Sequence, residues 1–182
     1  MSKRCGLVRS VLTGIAIVAL VALGRSKGAE AQQLKYAGAR GCGDVVVYGW
    51  TEDHTEAIIV RADRARLGLH AGDNTVTIAP DRKGLDVLLE LYGRPQRDLP
   101  AYHCNDVRLQ EWDRPASTLA AASGTLLITL AEPGAVEAPI GGPSAYEATV
   151  SLRDVVFRRP DGTKASVTTP ITLKAFVGFF YG

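Results

Sequence analysis

The chain has 182 residues, of which 46% are hydrophobic and 22% charged, with 21 basic and 19 acidic side chains. Residues 1–31 hold five of the basic side chains and one of the acidic ones, so the remainder carries a net charge of about −2. That remainder lacks the positive charge expected of a protein that binds nucleic acid or an anionic membrane surface, and we expect neither partner.

The amino terminus has the pattern of a cleaved signal peptide. Lys3 and Arg4 precede an uncharged apolar run at residues 11–23, and the sequence AEA at residues 29–31 fits the rule for a cleavage site. The apolar run is shorter than the roughly 20 residues that a membrane-spanning helix needs. We therefore expect an exported protein, periplasmic or extracellular, in which residues 32–182 form a single domain without a membrane span.

Short apolar runs separated by turn residues predict β-strands after this segment. The runs at residues 44–50 (DVVVYGW) and 57–60 (AIIV) are apolar on both faces, which is typical of buried strands. Further strands are expected at residues 75–79 and 124–130, and residues 62–69 are a candidate for a short helical turn.

Residues 85–92 (LDVLLELY) fit two structures. Leu85, Val87, Leu89 and Leu91 have strand spacing, whereas Leu85, Leu88, Leu89 and Tyr92 have helical spacing. We favour a strand because the neighbouring segments are strands.

The clearest alternation of apolar and polar residues lies near the carboxyl terminus, at residues 145–159. Asp161 and Gly162 then supply the conformation that a tight hairpin turn requires, and strands are expected at residues 164–168 and 171–180. Eight or nine short strands with at most one or two helical turns predict an all-β fold, an antiparallel β-sandwich of Greek-key, immunoglobulin-like type. The region rich in proline and glycine at residues 132–144 is expected to be a long loop.

Two cysteines, Cys42 and Cys104, remain after the predicted cleavage, because Cys5 lies in the signal peptide. In an exported domain, such a pair predicts a disulfide bond. Cys104 follows His103 in the stretch LPAYHCNDVRL, which also suggests a metal site or a thiol beside its base. If this stretch is a strand, however, adjacent side chains point to opposite faces and His103 does not share a metal ion with Cys104.

Motifs for catalysis, metals or cofactors are lacking in this sequence. No serine stands in a G-x-S-x-G setting, no histidines have the spacing of a zinc site, and the aspartates form no calcium-loop array. The nearest approach to a cluster is Glu52 and Glu56 on either side of Asp53 and His54. We therefore predict no catalytic residue, no metal site and no cofactor.

Aromatic side chains at strand ends and in loops suggest a binding surface, and we assign Trp50, Tyr102 and Trp112 to it. The function expected is that of an exported, non-enzymatic binding or interaction module for a protein or a small-molecule ligand. Two alternatives stay open. One is a small secreted hydrolase that uses carboxylates near residues 51–56 or 100–106, and the other is a structural component of the cell envelope.

Overall fold

The computed structural model describes residues 36–104, 114–135, 137–138 and 144–179. The predicted signal peptide and Trp112 lie outside these ranges. No helix in the described ranges is both long and hydrophobic enough to cross a membrane.

The described chain is built from nine strands and two four-residue helices. In chain order they are β1 (Tyr36–Cys42), β2 (Val45–Thr51), β3 (Glu56–Ala62), α1 (Arg64–Leu67), β4 (Gly72–Ile78), β5 (Leu85–Leu91), α2 (Leu99–Tyr102), β6 (Ser117–Leu130), β7 (Tyr146–Arg158), β8 (Lys164–Val167) and β9 (Ile171–Val177).

All strand pairs are antiparallel and belong to one sheet with the order β1-β2-β3-β5-β6-β7-β8, while β4 pairs with β6 and β9 pairs with β7. The prediction of an all-β antiparallel fold is therefore confirmed. The division into two sheets with Greek-key connections is not confirmed, because the strands are joined in a single hydrogen-bonded sheet.

β6 and β7 form a long hairpin that bends in its middle. Each of the two strands therefore pairs with two further strands, one before the bend and one after it. The bend lies at Gly124 and Asp154, whose φ angles are 141° and 51°. A Cβ atom on Gly124 would lie 3.0 Å from the Cα of Val155, so the close approach of the two strands requires glycine there. Before the bend β6 pairs with β5, and after it β6 pairs with β4.

Residues 85–91 form a strand because they pair with β3 along their whole length, which settles the ambiguity in their spacing. The predicted helical turn at residues 62–69 is also present as α1. The carboxylate of Asp63 accepts a hydrogen bond from the backbone N–H of Arg66, and Gly68 ends the helix in the left-handed conformation.

The condition that His103 and Cys104 lie on a strand is not met. Residues Leu99–Tyr102 form α2, in which Pro100 occupies the first turn, where its missing N–H is tolerated. The N–H of Ala101 donates to the carbonyl of Asp98, and His103 continues the helical conformation. Strand alternation therefore does not decide where the side chain of His103 points.

The sheet buries apolar side chains on both of its faces. Most of the core lies on the inner face, where alternate residues of the strands are buried, Val45, Val47, Ile58, Val60, Leu126 and Ile128 among them. A smaller group on the outer face of β1, β2, β3 and β5, here called the outer cluster, consists of Cys42, Tyr48, Ala57, Ile59, Tyr92, Leu99 and Cys104. The outer cluster is covered by residues 99–104, here called the anchored segment.

Candidate functional site

The predicted disulfide bond is present and fastens the anchored segment to the sheet. Cys42 at the end of β1 is bonded to Cys104 just after α2, with the two Cα atoms 5.8 Å apart and a sequence separation of 62. Both cysteines are buried. Because the bond closes a long loop, it restricts the unfolded chain strongly and holds α2 against the outer face of the sheet.

A hydrogen bond from the Tyr48 side chain also attaches the anchored segment to the sheet. Tyr48 lies on β2 with its ring completely buried, and its hydroxyl donates to the backbone carbonyl of Pro100 at 2.6 Å. Leu99 is buried in the same cluster. The anchored segment is therefore attached by a covalent bond, a hydrogen bond and an apolar contact.

Glu90 on β5 is the only Asp, Glu, Lys or Arg residue that is buried among the described residues. Its Oε2 accepts a hydrogen bond of 2.6 Å from the hydroxyl of Tyr92 and lies 3.3 Å from Nε2 of His103. The side chains of His103 and Glu90 are only 3% and 11% exposed. Within the described ranges Nε2 of His103 has no hydrogen-bond partner, so its approach to Glu90 is a close polar contact.

Glu90 keeps its negative charge in this buried position. Burial by itself raises the pKa of the carboxyl group, but His103, the Tyr92 hydroxyl and the charge of Arg61 together bring the pKa below its ordinary value. Burial and the hydrogen bond to Glu90 raise the pKa of the Tyr92 hydroxyl. Tyr92 therefore stays protonated and acts as a donor to an ionised Glu90.

Two residues of the predicted binding surface, Trp50 and Tyr102, both pack against the outer cluster. Both are half-buried and pack against it, as do Val46 and Leu88. The ring of Trp50 is centred 5.9 Å from that of Tyr48, and the ring of Tyr102 is centred 4.9 Å from that of His103. The ring of His103 in turn lies 5.0 Å from that of Tyr48.

The indole ring of Trp50 lies over the backbone of β1. Gly38 stands opposite Trp50 in the pairing of β1 with β2, and a Cβ atom at Gly38 would overlap the indole ring. The absence of a side chain at Gly38 therefore lets the ring lie close to the strand and keep its other side partly exposed. We call the exposed parts of Trp50, Tyr102, Val46 and Leu88 the aromatic surface.

The charged turn at residues 51–56 has a local structural role. The carboxylate of Asp53 accepts hydrogen bonds from the hydroxyls of Thr51 and Thr55 and from the N–H of Thr55, and these bonds lower its pKa. His54 has a φ angle of 55°, and its Nδ1 lies 3.0 Å from the carbonyl of Gln96. Glu56 is placed near Tyr36, where burial and the charge of Glu56 raise the pKa of the Tyr36 hydroxyl.

The hydrolase alternative uses carboxylates near residues 51–56 or 100–106, and Asp106 of the second stretch lies outside the described residues. His103 contacts the carboxylate of Glu90, not those of the turn at residues 51–56, and this pair is buried. Within the described ranges, no three His, Cys, Asp or Glu side chains are grouped so that they could hold a metal ion.

Sequence reasoning did not identify Glu90 or Tyr48 as parts of this site. A signal was present for Glu90, because it interrupts an apolar run and shares a strand face with Tyr92 two residues later. The signal was incomplete, since only the tertiary contact with His103 explains why that face is buried.

Comparisons of the chain with known protein families, with curated proteins and with solved structures found no match.

Proposed function

We propose that this protein is an exported, non-enzymatic binding module that contacts its partner through the aromatic surface. The observation that carries this proposal is that Trp50 and Tyr102, two half-buried rings from distant parts of the chain, both pack against one cluster. Aromatic side chains of this kind dominate the energetics of many binding interfaces, because a large apolar ring is joined to a polar tip.

The rigid support of the aromatic surface favours a recognition role. Tyr102 belongs to the anchored segment, which the Cys42–Cys104 bond and the Tyr48 hydrogen bond hold in place. A surface that is ordered before binding loses less conformational entropy when a partner docks. The disulfide bond also favours export, because such bonds persist in oxidising compartments.

Retention of cell-envelope components on the immobilised protein tests this proposal. The variants Trp50→Ala and Tyr102→Ala are compared with the wild type and with Phe176→Ala, which removes a half-buried ring of β9 outside the outer cluster. We expect a specific protein or small molecule to be retained by the wild type and by Phe176→Ala, and retained about tenfold less by the other two variants. Equal retention by all four proteins, or no specific retention by the wild type, would contradict the proposal.

A further inference from the structure

A cleft opens in the sheet where two strands leave the same edge of β6. The pairing of β5 with β6 ends at Leu88 and Ala120, and the pairing of β4 with β6 begins at Ile78 and Gly124. Residues 121–123 of β6 therefore have no partner strand on this edge among the described strands. The gap is a cleft of about 240 Å³ between the end of β4 and the beginning of β5.

The walls of the cleft are mostly apolar. They include Ile78, Pro80, Leu85, Val87 and the three consecutive alanines at residues 120–122. The small side chains of the alanines leave this space open at the bend of the long hairpin. An apolar cavity of about 150 Å³ accommodates benzene, so a cleft of this size has room for a ligand of about ten non-hydrogen atoms.

The rim of the cleft carries positive charge at Arg158. Arg158 lines the cleft, and Lys164 stands directly opposite it in the pairing of β7 with β8. Like charges in such a cross-strand position repel each other. Both side chains are exposed, and neither forms an ion pair with a described residue.

The acidic residue at the cleft stands on a different strand from these cations. Asp86 lies on β5, directly opposite Arg61 in the pairing with β3, where an opposite charge is available to it. Asp161, in the turn between β7 and β8, accepts hydrogen bonds from Thr163. The Arg158 side of the cleft therefore combines an apolar wall with uncompensated positive charge.

We propose that the cleft binds a small amphipathic carboxylate, whose alkyl chain lies against the apolar walls and whose carboxylate group contacts Arg158. A guanidinium group is suited to this contact because it donates two parallel hydrogen bonds to a carboxylate. The volume limits the ligand to a free acid with a chain of about eight carbons, since the acyl chains of a membrane phospholipid are larger. The cleft borders the aromatic surface at Leu88, which lines the cleft, but the proposal does not depend on the function proposed for that surface.

Titration of the isotope-labelled protein with sodium octanoate, followed by amide chemical shifts, tests the proposal. We expect saturable shifts centred on residues 78–88 and 120–122, with 1-octanol binding about tenfold more weakly because it lacks the charge. Arg158→Gln should weaken octanoate binding about tenfold and leave octanol binding unchanged. Arg153→Gln is the matched control, since Arg153 is an exposed cation of β7 that does not line the cleft, and should bind octanoate like the wild type.

A second variant tests the position of the alkyl chain. Ala120 lines the cleft and is exposed, so Ala120→Phe should fill the opening and abolish saturable binding of both ligands while the rest of the spectrum remains that of the folded protein. The proposal is overturned if octanoate and octanol bind equally, if the shifts lie outside the cleft, if Arg153→Gln weakens binding as much as Arg158→Gln, or if Ala120→Phe binds normally. Trp50→Ala should bind octanoate like the wild type, which separates this site from the aromatic surface.

Discussion

Nε2 of His103 lies 3.3 Å from Oε2 of Glu90, and this contact links the anchored segment to the middle of the sheet. The carboxylate belongs to β5 and the imidazole to the turn that follows α2. The contact is buried beside the disulfide bond, so a polar contact and a covalent bond both hold the same six residues.

The lowered pKa of Glu90 predicts a specific dependence of stability on pH. A carboxyl group with a lower pKa in the folded state stabilises the protein above its unfolded pKa, near the ordinary value of 4.5, and this contribution is lost as the pH falls through the folded value. Chemical denaturation at a series of pH values should show that the free energy of unfolding falls less between about pH 5 and pH 3 for Glu90→Gln than for the wild type. At pH 7 the variant should be less stable by about 1–3 kcal/mol. Parallel pH profiles for the two proteins would show that Glu90 does not contribute in this way.

Removal of the disulfide bond should lower the free energy of unfolding by about 2–5 kcal/mol, because the unfolded chain regains the entropy of a long open loop. The double variant Cys42→Ala, Cys104→Ala and the wild type are compared by thermal denaturation in oxidising buffer and in reductant. A large difference in melting temperature between the two proteins is expected in oxidising buffer, and only a small difference is expected in reductant. If both melt alike under oxidising conditions, the bond does not stabilise the fold.

Tyr48→Phe should loosen the anchored segment without unfolding the sheet. The variant keeps the buried ring and removes the hydroxyl that donates to the carbonyl of Pro100, which should cost about 1–3 kcal/mol if that carbonyl stays buried and unpaired. Hydrogen exchange followed by mass spectrometry should show faster exchange at residues 99–104 and unchanged exchange in β6 and β7. Unchanged exchange at residues 99–104 would mean that the hydrogen bond does not hold the segment.

The amino-terminal pattern predicts the mass of the exported protein. Cleavage after Ala31 would give a chain that starts at Gln32 and has a mass two protons below that of the reduced form, because its two cysteines are bonded. Intact-mass measurement and thiol titration of the secreted or periplasmic protein test this. A start at Met1 would contradict the predicted cleavage, and two free thiols would contradict the disulfide bond.

Most of the sheet could be predicted from the sequence because its strands follow the physical rule of alternation. Tyr146, Ala148, Val150 and Leu152 point into the core, as their spacing predicts. β1 was not predicted, since its sequence YAGARGC has few apolar side chains. Its place in the sheet depends on close contacts, such as the indole ring over Gly38, that are visible only in the folded protein.

The candidate site was predictable only in part, for a related reason. Two cysteines in an exported chain were enough to predict the Cys42–Cys104 bond, and the positions of Trp50 and Tyr102 were enough to suggest a surface. The conformation of residues 99–104 was missed because one turn of helix is too short to show a hydrophobic period. The contact between Glu90 and His103 joins a strand to a turn that is distant in sequence, so no local sequence pattern predicts it.

Site-specific crosslinking tests the central claim most directly. A photoreactive benzophenone amino acid is placed at Tyr102 and, as a control, at Phe176, and the exported protein is irradiated in its native compartment. We predict a specific adduct from position 102 that is absent from position 176 and is lost when Trp50→Ala is added. Equal adducts from both positions, or none from position 102, would contradict a binding role for the aromatic surface.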